Sequence, residues 1–502
     1  MRSKKTAGSI LLLVLMTLVL LDGITQAQSF EAIKSQIKEH TLANGMKFIV
    51  LERPEAPVVS FHTYADVGSA QEVYGITGIS HLLEHMAFKG SKVVGTKDYA
   101  AEARLLEQVD QLYDQLTQAQ NAIKPDSARI KALQAKFDST NKAAHELVAV
   151  DEYFDMMMKQ GGRGLNAYTS NDATQYITSL PSNRLEFWMA MESDRFMNPV
   201  FREFFEERNV VMEERRLGIE TQPTGKLIED FFAVAFKAHP YHHEVIGHMS
   251  DLRHITRKDV EEYFRKYYSP SNLTVAIVGD VNVNEVFQLA ETYFSRIPSG
   301  PRPEPLRTEE PEQWGERRVS VEAQSQPILV VGYHRPSVRS QEDVSFDAMA
   351  NVLGQGRSSR LYKSLVKEKK IAVQVGAMNG WPGDKYPNLF AAYAFPAKDH
   401  TSAECLEAID AEIARLKTEP ITAEELTKFK RQTRKSLIDR MKPNSQMAAL
   451  LTYYDVVLGD WRKLFEVFKE VEAVTATDIQ AVAQKYLIKK NRTVGEIVPE
   501  KP

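Results

Sequence analysis

Cysteine is nearly missing from this chain: Cys405 is the single one. An intrachain disulfide is therefore excluded, and stability must come from core packing. The lone thiol lies in Glu404-Cys405-Leu406-Glu407 with no basic activator beside it, so it reads as structural rather than nucleophilic. Neither charge sign dominates. With 63 Lys and Arg against 67 Asp and Glu, no basic footprint exists for a nucleic-acid partner. A phosphate loop is absent too, since Gly354-x-Gly356 lacks a third glycine and a preceding strand pattern. Long apolar runs are scarce. The run from Ile10 to Leu21 is short for a transmembrane span. Preceded by Arg2, Lys4 and Lys5 and followed by Thr25-Gln26-Ala27, it reads as a signal peptide over residues 1–27. A periplasmic or secreted protein with no stable membrane anchor is expected.

Histidine is also sparse, at 12 in 502 residues, which makes one stretch informative. In Gly78-Ile79-Ser80-His81-Leu82-Leu83-Glu84-His85-Met86-Ala87-Phe88-Lys89-Gly90, the apolar residues predict a buried helix. Positions i, i+3 and i+4 share a helix face, so His81, Glu84 and His85 point the same way. Two imidazoles one turn apart can hold a zinc ion, and a carboxylate between them can serve as general base. This is the inverted zinc helix, H-x-x-E-H. A catalytic zinc takes three protein ligands and keeps a position open for water. One Zn²⁺ per chain is expected, with the third ligand from elsewhere. An acidic helix holding Glu203, Glu206, Glu207, Glu213 and Glu214 offers candidates. Glu207 and Glu214 lie two turns apart on one face, and spacing does not choose between them.

The chain carries an internal repeat. Residues 255–279 recur 219 residues later, identical at seven of 25 positions including Thr256, Asp259, Tyr267, Asn272, Thr274 and Val275. Each copy reads as a capped helix followed by a strand. Val59-Ser60-Phe61-His62 matches Ile328-Leu329-Val330-Val331 at a shift of about 269, so the first half holds about fifty extra residues. That is the length of a predicted helical hairpin, about 104–158, which is broken at Pro125 and capped again by Asp126 or Ser127. Predicted domains are 28–297, with the zinc helix, and 317–502, without one, joined by a Pro-rich linker at 298–316. From His40 to Val67 apolar and polar residues broadly alternate around a turn at Ala43-Asn44-Gly45-Met46, predicting a hairpin. Asn166 to Ile177 is rich in β-formers and reads as one strand. His239-Pro240-Tyr241-His242-His243 reads as a turn rather than a second metal site.

Three motifs together resemble the pitrilysin/insulinase family of inverzincin metallopeptidases: the zinc helix, Asn166-Ala167-Tyr168-Thr169-Ser170-x-Asp172-x-Thr174-x-Tyr176, and Glu207-Arg208-Asn209-Val210-Val211-x-Glu213-Glu214. The short chain is most similar to two-domain bacterial members and processing-peptidase subunits. The resemblance implies an α+β fold of two homologous domains, each with helices on a mostly antiparallel sheet. It implies His81, His85 and Glu214 as zinc ligands, Glu84 as general base, and Glu207 as a residue behind the ligands that is important for catalysis. Asn166, Ala167, Tyr168 and Thr169 would form an edge strand that binds an extended peptide substrate. In family members with a complete site, the second half carries an Arg and, seven residues later, a Tyr that hold the substrate carbonyl. Val366 and Val373 stand at those places here. The expected partner is a related subunit that supplies the Arg and Tyr in a heterodimer, with a homodimer as the other arrangement. The function implied is a zinc endopeptidase acting on unfolded peptides; the alternative is a non-catalytic binding or assembly subunit of the same fold.

Overall fold

Runs of β-branched and aromatic residues form two sheets in the computed structural model, which describes residues 30–500. The expected signal peptide lies outside the described residues. The first sheet contains β1 (Lys38–Thr41), β2 (Lys47–Glu52), β3 (Val58–Ala65), β4 (Arg163–Thr169), β5 (Thr174–Pro181) and β6 (Leu273–Gly279), in the order β1-β2-β6-β3-β5-β4. The second contains β7 (Arg317–Ala323), β8 (Ile328–Arg335), β9 (Ala372–Trp381), β10 (Asn388–Pro396) and β11 (Arg492–Pro499), in the order β7-β11-β8-β10-β9. Neighbours are antiparallel except β2 with β6 and β7 with β11. The second order repeats the first without β1, so the fold is α+β and duplicated.

Eight helices position the site or join the two halves: α1 (Ile79–Met86), α2 (Tyr99–Gln120), α3 (Ser127–His145), α4 (Phe204–Arg215), α5 (Pro223–Ala235), α6 (Arg257–Tyr267), α7 (Asn444–Leu458) and α8 (Ala476–Tyr486). The repeat seen in the sequence is α6 with β6 and α8 with β11. Each of these helices starts in a reciprocal capping box, Thr256 with Asp259 and Thr475 with Asp478, which satisfies two otherwise orphaned amides. The extra residues of the first half form the hairpin α2–α3. Asp126 caps α3 by accepting from the Ala128 and Arg129 amides, and Leu116, Ala119 and Leu133 pack between the two helices. Cys405 is buried in the helix Ser402–Thr418, as a structural thiol should be.

Two expectations change. The strand predicted over Asn166–Ile177 is two strands, β4 and β5, joined by a tight turn in which the Ser170 amide donates to the Ala173 carbonyl at 2.8 Å. The turn formers Ser170, Asn171 and Asp172 carried that signal. In addition, β3 does not alternate: seven of its eight residues are buried, including Ser60, His62 and Thr63. Both its faces are covered.

The cover comes from the other half of the chain. Met447, Ala448 and Leu451 of α7 pack on Ile49, Leu51, Ala276 and Val278 of the first sheet. Thr452 of α7 hydrogen-bonds the His62 Nδ1 at 2.9 Å, and burial pushes the His62 ring down to about 3. Reciprocally, Leu227, Phe231 and Phe232 of α5 pack on Val321, Ile328 and Ile497 of the second sheet. Each fully buried aromatic or leucine here is worth about 1.5–3 kcal/mol. Thus the two halves exchange one helix each, and the first sheet is pinned with β4 as its free edge.

Candidate metal centre

The helix α1 begins at Gly78, whose φ of +90° suits glycine. A Cβ there would lie 2.5 Å from the Ile246 carbonyl oxygen. Glycine offers no side chain to cap the helix, and Glu72 does so instead. Its carboxylate accepts from the Gly78 and Ser80 amides, each at 2.8 Å. Ile79, Leu82, Leu83 and Met86 are buried, which fixes the opposite face of α1 toward α4.

On that face His81, His85 and Glu214 bring one donor atom each within 4.8 Å of one another. Glu214 Oε2 is 3.9 Å from His81 Nε2 and 3.7 Å from His85 Nε2. Those gaps are too long for hydrogen bonds. They approach the edge of a tetrahedron whose ligand bonds are about 2.1 Å, so two imidazoles and one carboxylate fit a zinc ion. Burial beside His85 pushes the His81 ring down to about 4, keeping it in the neutral, ligating form. The Nδ1 of His85 meets Glu207 Oε2 at 3.2 Å, leaving Nε2 for the metal. Glu207 also pairs with Lys89 at 2.7 Å. Burial raises its carboxyl, but His85 and Lys89 outweigh that and hold it below the usual range.

Glu84 lies beside the triad. Thr169 Oγ donates to Glu84 Oε2 at 2.6 Å, and burial leaves the carboxyl raised despite that bond. Thr169, Tyr168 and Ala167 form one wall of a cavity of about 440 Å³, which His81, Glu84 and Glu214 also line. Asn166 sits on the same strand, paired with Ile177. Immediately after Glu214 the helix widens into a π-helical turn over Arg216–Glu220, a feature frequent at functional sites. Gly218 and Ile219 of that turn close the cavity on another side. Larger cavities of about 970 and 740 Å³ lie elsewhere and contain none of these groups.

The structure thus brings His81, Glu84, His85, Glu207 and Glu214 together beside β4. It leaves other residues apart. Val366 is partly buried against the core of the second half, and Val373 is 58% exposed on β9. Arg360 is committed to Glu425 through two hydrogen bonds of 2.8 Å. His239 accepts the Tyr241 amide in a 3-10 turn. Sequence reasoning missed Glu72, which a helix starting at glycine should have suggested. It also missed Glu244, a third carboxylate on the cavity wall.

Two family models match the chain. One, described as Insulinase (Peptidase family M16), covers residues 47–111, and the other, described as Peptidase M16 inactive domain, covers residues 254–433. The zinc protease PqqE of Helicobacter pylori is 29% identical over 478 residues, covering 93% of this chain and 94% of that protein. Among solved structures, a protease from Helicobacter pylori has a TM-score of 0.77 at 27% identity, over 92% of this chain and 99% of that one. The periplasmic protease PqqL of Escherichia coli, at 18% identity and a TM-score of 0.68, shares the fold over 92% of this chain but only 47% of its own. By these matches the chain is similar to two-domain members of the pitrilysin/insulinase family.

Proposed function

We propose that the chain is a zinc-dependent endopeptidase that cleaves unfolded peptides in the periplasm or outside the cell. The observation that carries this reading is the convergence of His81, His85 and Glu214 with a Thr169-held Glu84 in one cavity beside a free strand edge. Bound zinc supplies a Lewis acid that polarises a carbonyl and acidifies water to a pKa of about 7. The outer edge of β4 lines up an extended peptide through main-chain hydrogen bonds, which tolerates many sequences. Glu84 takes the proton from the attacking water and delivers it to the departing amine. Glu207 holds the His85 ring. Glu84→Gln should retain about one zinc per chain by metal analysis and lose hydrolysis of an unfolded reporter peptide. Retained hydrolysis overturns the mechanism.

The working unit is a dimer. With valines at 366 and 373 and Arg360 tied to Glu425, no cation in the expected place holds the substrate carbonyl, and PqqL at twice the length supports a second half. A related subunit carrying the Arg and Tyr would complete the site. Losing one such donor costs about 10²–10³ in rate, so adding that subunit should raise the rate by a comparable factor. If no family partner raises the rate while Arg360→Ala or Tyr362→Phe removes it, the clamp lies within this chain.

A further inference from the structure

Both helices of the inserted hairpin, α2 and α3, hold one residue that lies just beyond α1. That residue is Lys89. At its backbone end, the Lys89 carbonyl accepts from Nη1 of Arg202. Arg202 is held in turn by Glu102 of α2, with Nε donating to Oε1 at 2.8 Å and Nη2 to Oε2 at 3.2 Å. Arg202 and Glu102 are fully buried, and neither can exchange its partner for water, so this end is fixed. At the other end, Lys89 Nζ donates to Glu203 Oε2 at 3.0 Å. His145, the last residue of α3, brings Nε2 to 3.0 Å from Glu203 Oε1. Glu203 adopts φ +55°, a conformation uncommon outside glycine that persists where the surroundings fix it.

Lys89 connects this frame to the metal ligands. Its Nζ also lies 2.7 Å from Glu207 Oε1, while Glu207 Oε2 meets His85 Nδ1 at 3.2 Å. A carboxylate with one oxygen free can swing away from the imidazole. With Oε1 held by Lys89 it cannot, and Nε2 of His85 stays aimed at Glu214. The hairpin grips α4 directly as well. Asn141 Nδ2 donates to Glu206 Oε1 at 2.6 Å, and Phe137 and Tyr113 pack on Phe205 with ring centroids 4.9 and 4.8 Å away.

We propose that the inserted hairpin sets the zinc affinity of the centre, and that Lys89 is the positioning residue through which it acts. The inference rests on the metal centre of the proposed peptidase and adds a role for the hairpin; the general base and the substrate strand are not part of it. Replacing Arg202 or Glu102 would strand a buried charge and endanger the fold. Lys89 and the half-exposed His145 are therefore the residues to vary.

Zinc dissociation constants are measured on the full chain by competition with a chelating indicator, for wild type, Lys89→Met, His145→Ala and the double variant. The denaturant midpoint of each metal-free protein is taken alongside. Lys89→Met should weaken zinc binding by about tenfold, the lower end of what residues behind a ligand contribute. His145→Ala removes one half-exposed pair and should weaken it by about two- to fivefold. With Lys89 gone His145 has nothing to act through, so the double variant should bind zinc as Lys89→Met does. A hairpin that only stabilises the fold would lower the midpoints and leave every zinc constant at the wild-type value, and that result overturns the proposal. A loss in the double variant equal to the product of the two single losses also overturns it, because His145 would then act by a route that avoids Lys89. Should Lys89→Met fail to fold, His145→Ala decides alone: wild-type zinc affinity overturns the role of the hairpin, and the expected loss upholds it. A wild-type chain that takes up no zinc removes the metal centre itself, a failure distinct from any produced by the variants.

Discussion

At the scale of single residues, two side chains of the proposed metal cluster are each held by one further contact. Thr169 holds Glu84 at 2.6 Å and Glu207 holds His85 at 3.2 Å. Removing either support should affect a different quantity. Glu207→Ala frees the imidazole to rotate and should lower zinc affinity by about ten- to a hundredfold, read by competition against a chelator. Thr169→Val leaves the ligands in place and releases the base. A lost hydrogen bond to a charged group costs about 1.5–3 kcal/mol, so kcat should fall by about tenfold or more while zinc content stays near one per chain. The ligand histidines were legible because helix periodicity is local. Glu214, 129 residues beyond His85, was not legible from spacing: only the family resemblance singled it out from Glu207, and the packing of α4 on α1 brings it to the histidines. Thr169 was legible as part of the strand beside the zinc helix, but its bond to Glu84 was not.

At the scale of elements, α1 depends on a cap borrowed from outside itself. Glu72→Ala would leave two buried amides without acceptors, at about 1–3 kcal/mol each. A drop of that size in the unfolding free energy, measured in denaturant, is expected, together with weaker zinc binding. An unchanged stability would mean that water caps the helix. The capped helices α6 and α8 were readable because Thr and Asp three residues apart form a complete local signal. The β4–β5 turn was readable in principle and was passed over because Tyr168, Thr169, Thr174 and Tyr176 have the composition of one long strand. The double-sided burial of β3 was not readable at all. Its sequence alternates as a half-buried strand would, and only the arrival of α7 covers His62 and Thr63.

At the scale of the whole molecule, the turn next to the metal cleft is tied to the second half. Asp172 accepts from the Tyr241 hydroxyl, and from the Asp384 and Lys385 amides at 2.7 and 3.0 Å. Tyr453 of α7 donates to Asp384 at 2.9 Å. Burial pushes the Asp384 carboxyl up to about 6, with Asp172 and Asp343 adding repulsion against the Tyr453 bond. The folded pKa stands above the unfolded value of 3.8. The stability this group contributes is therefore fully present below pH 3.8 and is lost as pH rises through about 6. Asp384→Asn keeps the acceptor for Tyr453 without the charge. Relative to wild type it should gain stability between pH 4 and 8, read as a rising difference in denaturant midpoint; a difference independent of pH would remove Asp384 as its source.

The exchange of α5 and α7 has a consequence for how the chain can be divided. Cutting it within 298–316, where no regular element runs, separates each sheet from its own roof, because Phe231 and Phe232 travel with one fragment and Met447 and Leu451 with the other. Neither piece can then shield its strands alone, so each made singly should aggregate. Produced together, the two pieces should find each other and copurify, since every contact that joins them is already non-covalent. The peptide linking them would then be dispensable for folding, and this chain would behave as a two-subunit protein that happens to be translated in one piece.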